Sequence, residues 1–384
     1  GSLRAGGQGV FALDITDPST FSETNTGTVL WEFTDASHAT HGRDMGYSFS
    51  QPVIAKSHDS GNPWVAIFGN GYNNSEADGI ASTTGNAALF IVNLANGSLV
   101  RKIPLPGYGT VAQPNGLASV KVIDFDGDAI ADFAYAGDLL GNLWKFDLRD
   151  TTSTNWTASR LFTAMDASSV VQPITSKPEV VRHPTGTGFL VMFGTGKYLE
   201  SGGTDTANTQ VQSFYGIWDI TGSGGAATLV PNNQVLAQTV TTTTDASGDA
   251  VRTFTTPQQI SWNAAATTPH KGWKVNLPAT GERHIATPQF LSDNRILFVT
   301  TIPSTDPCSA GGESWLWQLD TNSGGPPPAS VFDTDGDGDF DAGDQAGGNV
   351  VAGVGLGSGV APAPTVVDTT NGRLILTPKS GSTS

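Results

Sequence analysis

Residues 120–148 read VKVIDFDGDAIADFAYAGDLLGNLWKFDL. Three short apolar runs (Val120–Ile123, Phe133–Tyr135 and Leu143–Phe146) are broken by an acidic Gly-containing loop and by a turn at Gly137–Gly141. Runs this short, bounded by Gly and Asp, read as β-strands. The closing word NLWKFDLRD (142–150) recurs loosely as VFALDITDP (10–18), FYGIWDITG (214–222) and WLWQLDTNSG (315–324), with LFIVNLANG (89–97) as an Asn variant. Each is an aromatic or apolar strand that ends in an acid or amide and then a turn. Strands carrying a small-residue turn go with them: IFGNG (67–71), AYAGD (134–138) and MFGTG (192–196). Repetition of one strand-turn unit is what a propeller requires and a β-sandwich does not. The reading is an all-β, modified β-propeller of about seven blades with loop insertions.

Composition agrees with that class. The chain has 384 residues, with 47 Gly and 22 Pro, and only 14% are charged. Gly supplies positive φ and Pro presets turns, as many tight connections need. A hydrophobic share of 38% can fill a core, which excludes a disordered chain. The formal charge is −16, so a nucleic-acid surface built from clustered Lys and Arg is not expected, and cations are the natural partners. The lone cysteine, Cys308, cannot form an internal disulfide. No run approaches the roughly 20 apolar residues of a membrane helix. Gly1-Ser2 resembles a cloning scar, so residues 1–384 are taken as one domain cut from a longer protein.

Further strands are expected at Val10–Ile15, Trp64–Phe68, Phe90–Leu94, Ser98–Ile103, Gly188–Phe193, Phe214–Ile220, Arg295–Thr301 and Trp315–Leu319. Asn96-Gly97 and Asn371-Gly372 are short hairpin signals. Thr239–Pro257 reads as a polar hairpin, and SGGPPP (323–328) as a linker. No sustained 3.6-residue apolar period is present, so helices should be few.

Two aspartate-rich loops carry the chemistry. In the first, Asp124, Asp126, Asp128 and Asp132 occupy positions 1, 3, 5 and 9 of a calcium-type loop, and Ile130 offers its carbonyl at position 7. Position 12 is Tyr135, so the usual terminal bidentate ligand is missing. The second runs from Asp333 to Asp344. Asp333, Asp335 and Asp337 stand at 1, 3 and 5, Gly338 at the bend, Asp339 at 7 through its carbonyl, Asp341 at 9, and Asp344 at 12 in place of Glu. A hard cation takes about six to eight oxygens, and a tightly curled loop turns alternate side chains inward to supply them. Crowded carboxylates without a cation would repel, so Ca²⁺ is expected at both loops rather than a merely solvated acidic tip. His38 and His41 have metal-like spacing but lack a further local ligand and read as surface. Cys308 carries no nucleophile motif. Asn73-Asn-Ser75 and Asn96-Gly-Ser98 match glycosylation sequons that arise easily by chance. No catalytic motif is found.

The words NGLASVKVIDFDGDAIADFAYAGDLLGNLWKFDL, MGYSFSQPVIA, WVAIFGNGYNN and GGQGVFALDIT resemble the PilY/PilC family of type IV pilus-associated proteins. The resemblance covers most of residues 5–220 and thins beyond. It implies the family's C-terminal propeller, a calcium site at Asp124, Asp126, Asp128, Ile130 and Asp132, and no enzyme activity. It further implies a place at the pilus tip or the outer surface of a bacterium. The roles implied there are adhesion to host or abiotic surfaces and control of pilus extension, retraction and twitching, with minor pilins as partners through the full-length protein. No Arg-Gly-Asp motif is present. The enzyme alternative is a pyrroloquinoline-quinone dehydrogenase, whose propeller repeats share the GNLWKFDL type of word. Local acidic loops and a single cysteine disfavour it. A purely structural calcium-stabilised surface module is the third reading.

Overall fold

The computed structural model describes all residues except 39, 77–78, 201–203, 223, 264–268, 305, 307–310, 370–371, 379 and 381–384. Cys308 and Asn371 therefore lie outside the described residues. By its internal packing the chain divides into two compact units. The first comprises residues 1–163, 173–177 and 221–229, and the second residues 164–172, 178–220 and 230–384.

The first unit holds two four-stranded antiparallel meanders. One runs Val53–Lys56, Trp64–Gly69, Ala88–Asn93, Leu99–Pro104, and the other Lys121–Ile123, Phe133–Gly137, Asn142–Asp147, Thr157–Thr163. A two-stranded ribbon, Gly9–Leu13 with Val29–Thr34, accompanies them. The second unit has a five-stranded sheet ordered Glu179–Arg182, Phe189–Gly194, Ser213–Asp219, Gly272–Asn276, Val235–Gln238. Its larger sheet places Gly312–Asp320 between Arg295–Pro303 and Asn349–Ser358. Thr365–Thr369 pairs with Gly372–Leu376. Among the described residues the only helices are short 3₁₀ turns of three residues each. The expectation of about seven repeats thus meets four multistranded sheets and two ribbons among the described residues.

Central strands are buried on both faces, which is why they read as continuous apolar runs. In Trp64–Gly69, Val65 and Ile67 join a cluster with Leu117, Phe146 and Trp156, while Ala66 and Phe68 join Val10, Phe33 and Phe90 on the other face. In the second unit Phe214 stacks on Phe298 with ring centroids 3.9 Å apart, and Trp273 and Trp317 complete that core.

The small-residue turns have a common physical basis. Asn70, Asp138 and Thr195 each follow a Gly at a strand end, and each is fully buried. Their side chains accept the first N–H of the next strand: Ala88 N to Asn70 Oδ1 at 3.0 Å, Asn142 N to Asp138 Oδ1 at 2.8 Å and Ser213 N to Thr195 Oγ1 at 2.9 Å. Their own N–H groups return the bond to the same residue's carbonyl. A Cβ on the preceding Gly69, Gly137 or Gly194 would sit within 2.3 Å of Leu117 O, Ile174 Cγ2 or the His284 ring. The Gly admits the neighbouring segment, and the polar residue closes the hairpin. Asn96-Gly97 behaves differently from a two-residue hairpin. Asn93 N bonds Ser98 O, and only Gly97 has positive φ (70°), so the connection is a four-residue loop with a bulge at Ile91/Val92.

Candidate metal centre

The first aspartate loop links strands Lys121–Ile123 and Phe133–Gly137, and its curl is set by its own backbone amides. Gly127 N donates to Asp124 Oδ1 at 2.7 Å and Ala129 N to Asp124 Oδ2 at 2.8 Å. Asp128 N reaches Asp126 Oδ1 at 3.3 Å, and Ile130 N reaches Asp128 Oδ1 at 2.8 Å. Gly127 and Ala129 take the left-handed conformation this requires (φ 87° and 66°). One oxygen each of Asp124, Asp126 and Asp128 falls within 4.8 Å of the others, on an exposed loop.

The second loop repeats the network almost bond for bond. Gly336 N and Gly338 N donate to the two oxygens of Asp333 at 2.7 and 3.1 Å. Asp337 N donates to Asp335 Oδ1 at 3.3 Å and Asp339 N to Asp337 Oδ1 at 2.8 Å. Gly336 and Gly338 take positive φ of 78° and 91°. Asp333, Asp335 and Asp337 gather their oxygens within the same 4.8 Å.

Asp132 and Asp344 behave differently from the three leading aspartates of each loop. Both are buried, and each accepts the N–H of the loop's second residue: Phe125 N to Asp132 Oδ2 at 2.7 Å and Thr334 N to Asp344 Oδ1 at 2.6 Å. The other Asp132 oxygen lies 3.0 Å from His58 Nε2, and the other Asp344 oxygen accepts Asp341 N at 2.9 Å. They close the loops from beneath. Asp341 turns one oxygen to Gly343 N at 2.6 Å and, like Asp339, stays outside the gathered group of three. Ile130 N is used within the loop, and Ala131 N bonds Lys56 O at 3.0 Å, which anchors that end to a neighbouring strand. His58 lies 74 residues from Asp132 in sequence, and no local motif points to it.

The charge balance differs between the loops. The Gly127 N–H, with the other loop amides, lowers the Asp124 carboxyl below its ordinary value. At Asp335 the Asp337 N–H lowers the carboxyl, but desolvation and the charges of Asp337, Asp344 and Asp333 outweigh it, and the net direction is up. The donor set fits a hard cation. It is all carboxylate oxygen, convergent, and in the second loop mutually repulsive without a counter-charge.

Comparison with known proteins bears on the fold. The PilY1 beta-propeller domain family matches residues 1–247. The chain belongs to this family. The PilY1 pilus biogenesis factor of Pseudomonas aeruginosa PAO1 is 34% identical over 363 residues, covering 87% of this chain and 29% of the relative. A PilY1 homolog from Xylella fastidiosa is 36% identical over 347 residues, covering 85% of this chain and 22% of the relative. The crystal structure of the P. aeruginosa PilY1 C-terminal domain superposes with a TM-score of 0.80 at 30% identity, covering all of this chain and 78% of that one. The all-β propeller reading and the PilY/PilC resemblance are both borne out. The chain spans less than a third of those two curated relatives. Both are named as pilus biogenesis factors rather than enzymes.

Within this PilY1-family chain, His38 and His41 sit side by side with centroids 4.7 Å apart in an exposed loop. His38 Nδ1 accepts the N–H of His41 at 3.2 Å, so that nitrogen is engaged locally. Among the described residues no helix is long and apolar enough to cross a membrane.

Proposed function

We propose that this chain is the calcium-binding propeller of a type IV pilus tip-associated adhesin and assembly factor. In this reading calcium at Asp124, Asp126 and Asp128, with the Ile130 carbonyl, tunes pilus extension and retraction. The partners are minor pilins, reached through the full-length protein, and surfaces to which the cell attaches. The location is the pilus tip or the outer surface. The observation that carries the reading is the hydrogen-bond network common to both aspartate loops, which presents three convergent carboxylates twice in one chain. Random acidic tips would not share it bond for bond.

The test is twitching in a strain whose full-length protein carries Asp128→Ala. Twitching that no longer responds to calcium supports the reading. Wild-type piliation and twitching at every calcium level would leave the loop a purely structural role.

A further inference from the structure

We infer that His58 is a positioning residue for the first aspartate loop, and that through it calcium bound there clamps the turn at residues 57–63 of the preceding meander. The inference rests on the proposed calcium site and names an element outside the loop that the site controls.

Two contacts join this turn to the loop. Ala131 N donates to Lys56 O at 3.0 Å, and Ile130, whose carbonyl is the expected ligand at position 7, forms a parallel bridge with Lys56. Two residues further on, His58 Nε2 lies 3.0 Å from Asp132 Oδ1, with the two side chains 18% and 5% exposed. An ionised carboxylate only accepts, so Nε2 is the donor. The Asp132 backbone is fixed from its own meander: its N–H bonds Ile123 O and its carbonyl accepts Leu148 N. Its Oδ2 accepts Phe125 N, the second residue of the loop. His58 therefore sets the orientation of the carboxylate that holds the loop's curl.

The turn is well braced for this task. Ser57 N bonds Pro63 O at 3.1 Å, and Ser57 Oγ bonds Asn62 O at 2.6 Å. Asp59 accepts Gly61 N and Asn62 Nδ2, and Asn62 Oδ1 accepts Asn93 Nδ2 from the strand Ala88–Asn93. The second aspartate loop is arranged differently, because the Asp344 carboxylate is held by Thr334 and Asp341 of its own loop. An exposed, Gly-containing loop loses conformational entropy when it orders around a cation. A brace on Asp132 lowers that loss, and by linkage calcium tightens the brace by the same factor.

The experiment is calcium titration of the full chain in an Asp337→Ala background, which disables the second loop. It is read by equilibrium dialysis and by hydrogen exchange at the Ser57 and Asn62 amides. His58→Ala should weaken calcium about tenfold or more, the usual loss when the partner behind a metal site is removed. His58→Gln keeps an N–H donor at a similar reach and should retain most of the affinity. Calcium should protect both amides in the parent and in His58→Gln, and much less in His58→Ala, a pattern that a merely structural histidine would not produce. Unchanged affinity in His58→Ala overturns the inference and leaves the calcium site standing. So does tighter binding, which would mean that His58 competes with calcium for Asp132. Parent amides that ignore calcium while it binds also overturn it, whether or not His58→Ala folds. No calcium bound by the parent overturns both the inference and the reading on which it rests.

Discussion

Asp132 and Asp344 stand at different positions of their loops, ninth and twelfth, yet hold the same backbone amide. Sequence spacing casts both as ligands. It cannot show that a carboxylate is buried beneath the loop, because burial depends on partners such as His58 that lie far away in sequence. Removing Asp344 strands the Thr334 and Asp341 N–H groups, so Asp344→Ala should cost about 1–3 kcal/mol in chelator, measured by urea unfolding. A metal-only role would leave chelated stability unchanged. Asp335 gives the opposite sign. Its carboxyl is raised in the fold, so its favourable contribution exists below the unfolded value near 3.8 and is lost as pH rises through the folded one. At neutral pH it therefore works against the metal-free loop. Asp335→Asn should raise the chelated Tm at pH 7, have little effect near pH 3, and lower the Tm in calcium. A chelated Tm that falls at pH 7 would show that repulsion does not govern this loop. The leading aspartates were legible because alternate side chains of a curled loop share one side whatever surrounds it.

At the scale of elements, strand positions were legible because aromatic and β-branched runs between Gly and Asp have few other uses. Their edges moved by one to three residues, as at Phe189–Gly194, Ser213–Asp219 and Gly312–Asp320. The role of the Gly–polar pairs was not legible. IFGNG, AYAGD and MFGTG show only a small residue before a polar one, whereas the close approach of Leu117, Ile174 and His284 is tertiary. Asp138 is the most committed of the three. It accepts Leu140 N, Asn142 N, Asn115 Nδ2, Asn142 Nδ2 and Trp144 Nε1, all at 3.2 Å or less. Full burial raises its carboxyl, against those bonds. Asp138→Ala strands several buried donors at once and should cost about 3 kcal/mol or more. Gly137→Ala should also destabilise, because its Cβ would lie 2.1 Å from Ile174 Cγ2. Ile174→Ala in the Gly137→Ala background should recover part of that loss. If it recovers nothing, close approach is not why Gly occupies that position. The Asn96-Gly97 signal failed on detail because the Ile91/Val92 bulge shifts the register and lengthens the loop.

At the scale of the whole molecule, a net charge of −16 opposes compaction, and cations bound where carboxylates are densest would relieve it. The sequence made the acid excess plain but not its partition. Asp124–Asp132 belongs to the first compact unit and Asp333–Asp344 to the second. Calcium should therefore stabilise the two units through separate sites. At about 100 times the dissociation constant each site adds about 2.7 kcal/mol, if the unfolded chain does not bind. The second loop ends in Asp344, which is engaged with backbone amides, and should bind in the weaker extracellular range, roughly 10⁻⁴–10⁻³ M. Hydrogen exchange during a calcium titration separates the sites. Amides of Phe133–Gly137 should gain protection at lower calcium than those of Asn349–Ser358. Asp124→Ala with Asp126→Ala should abolish the first gain and spare the second, and magnesium should restore neither. Simultaneous protection of both strands, or its persistence in the double variant, would mean that calcium acts elsewhere on the chain.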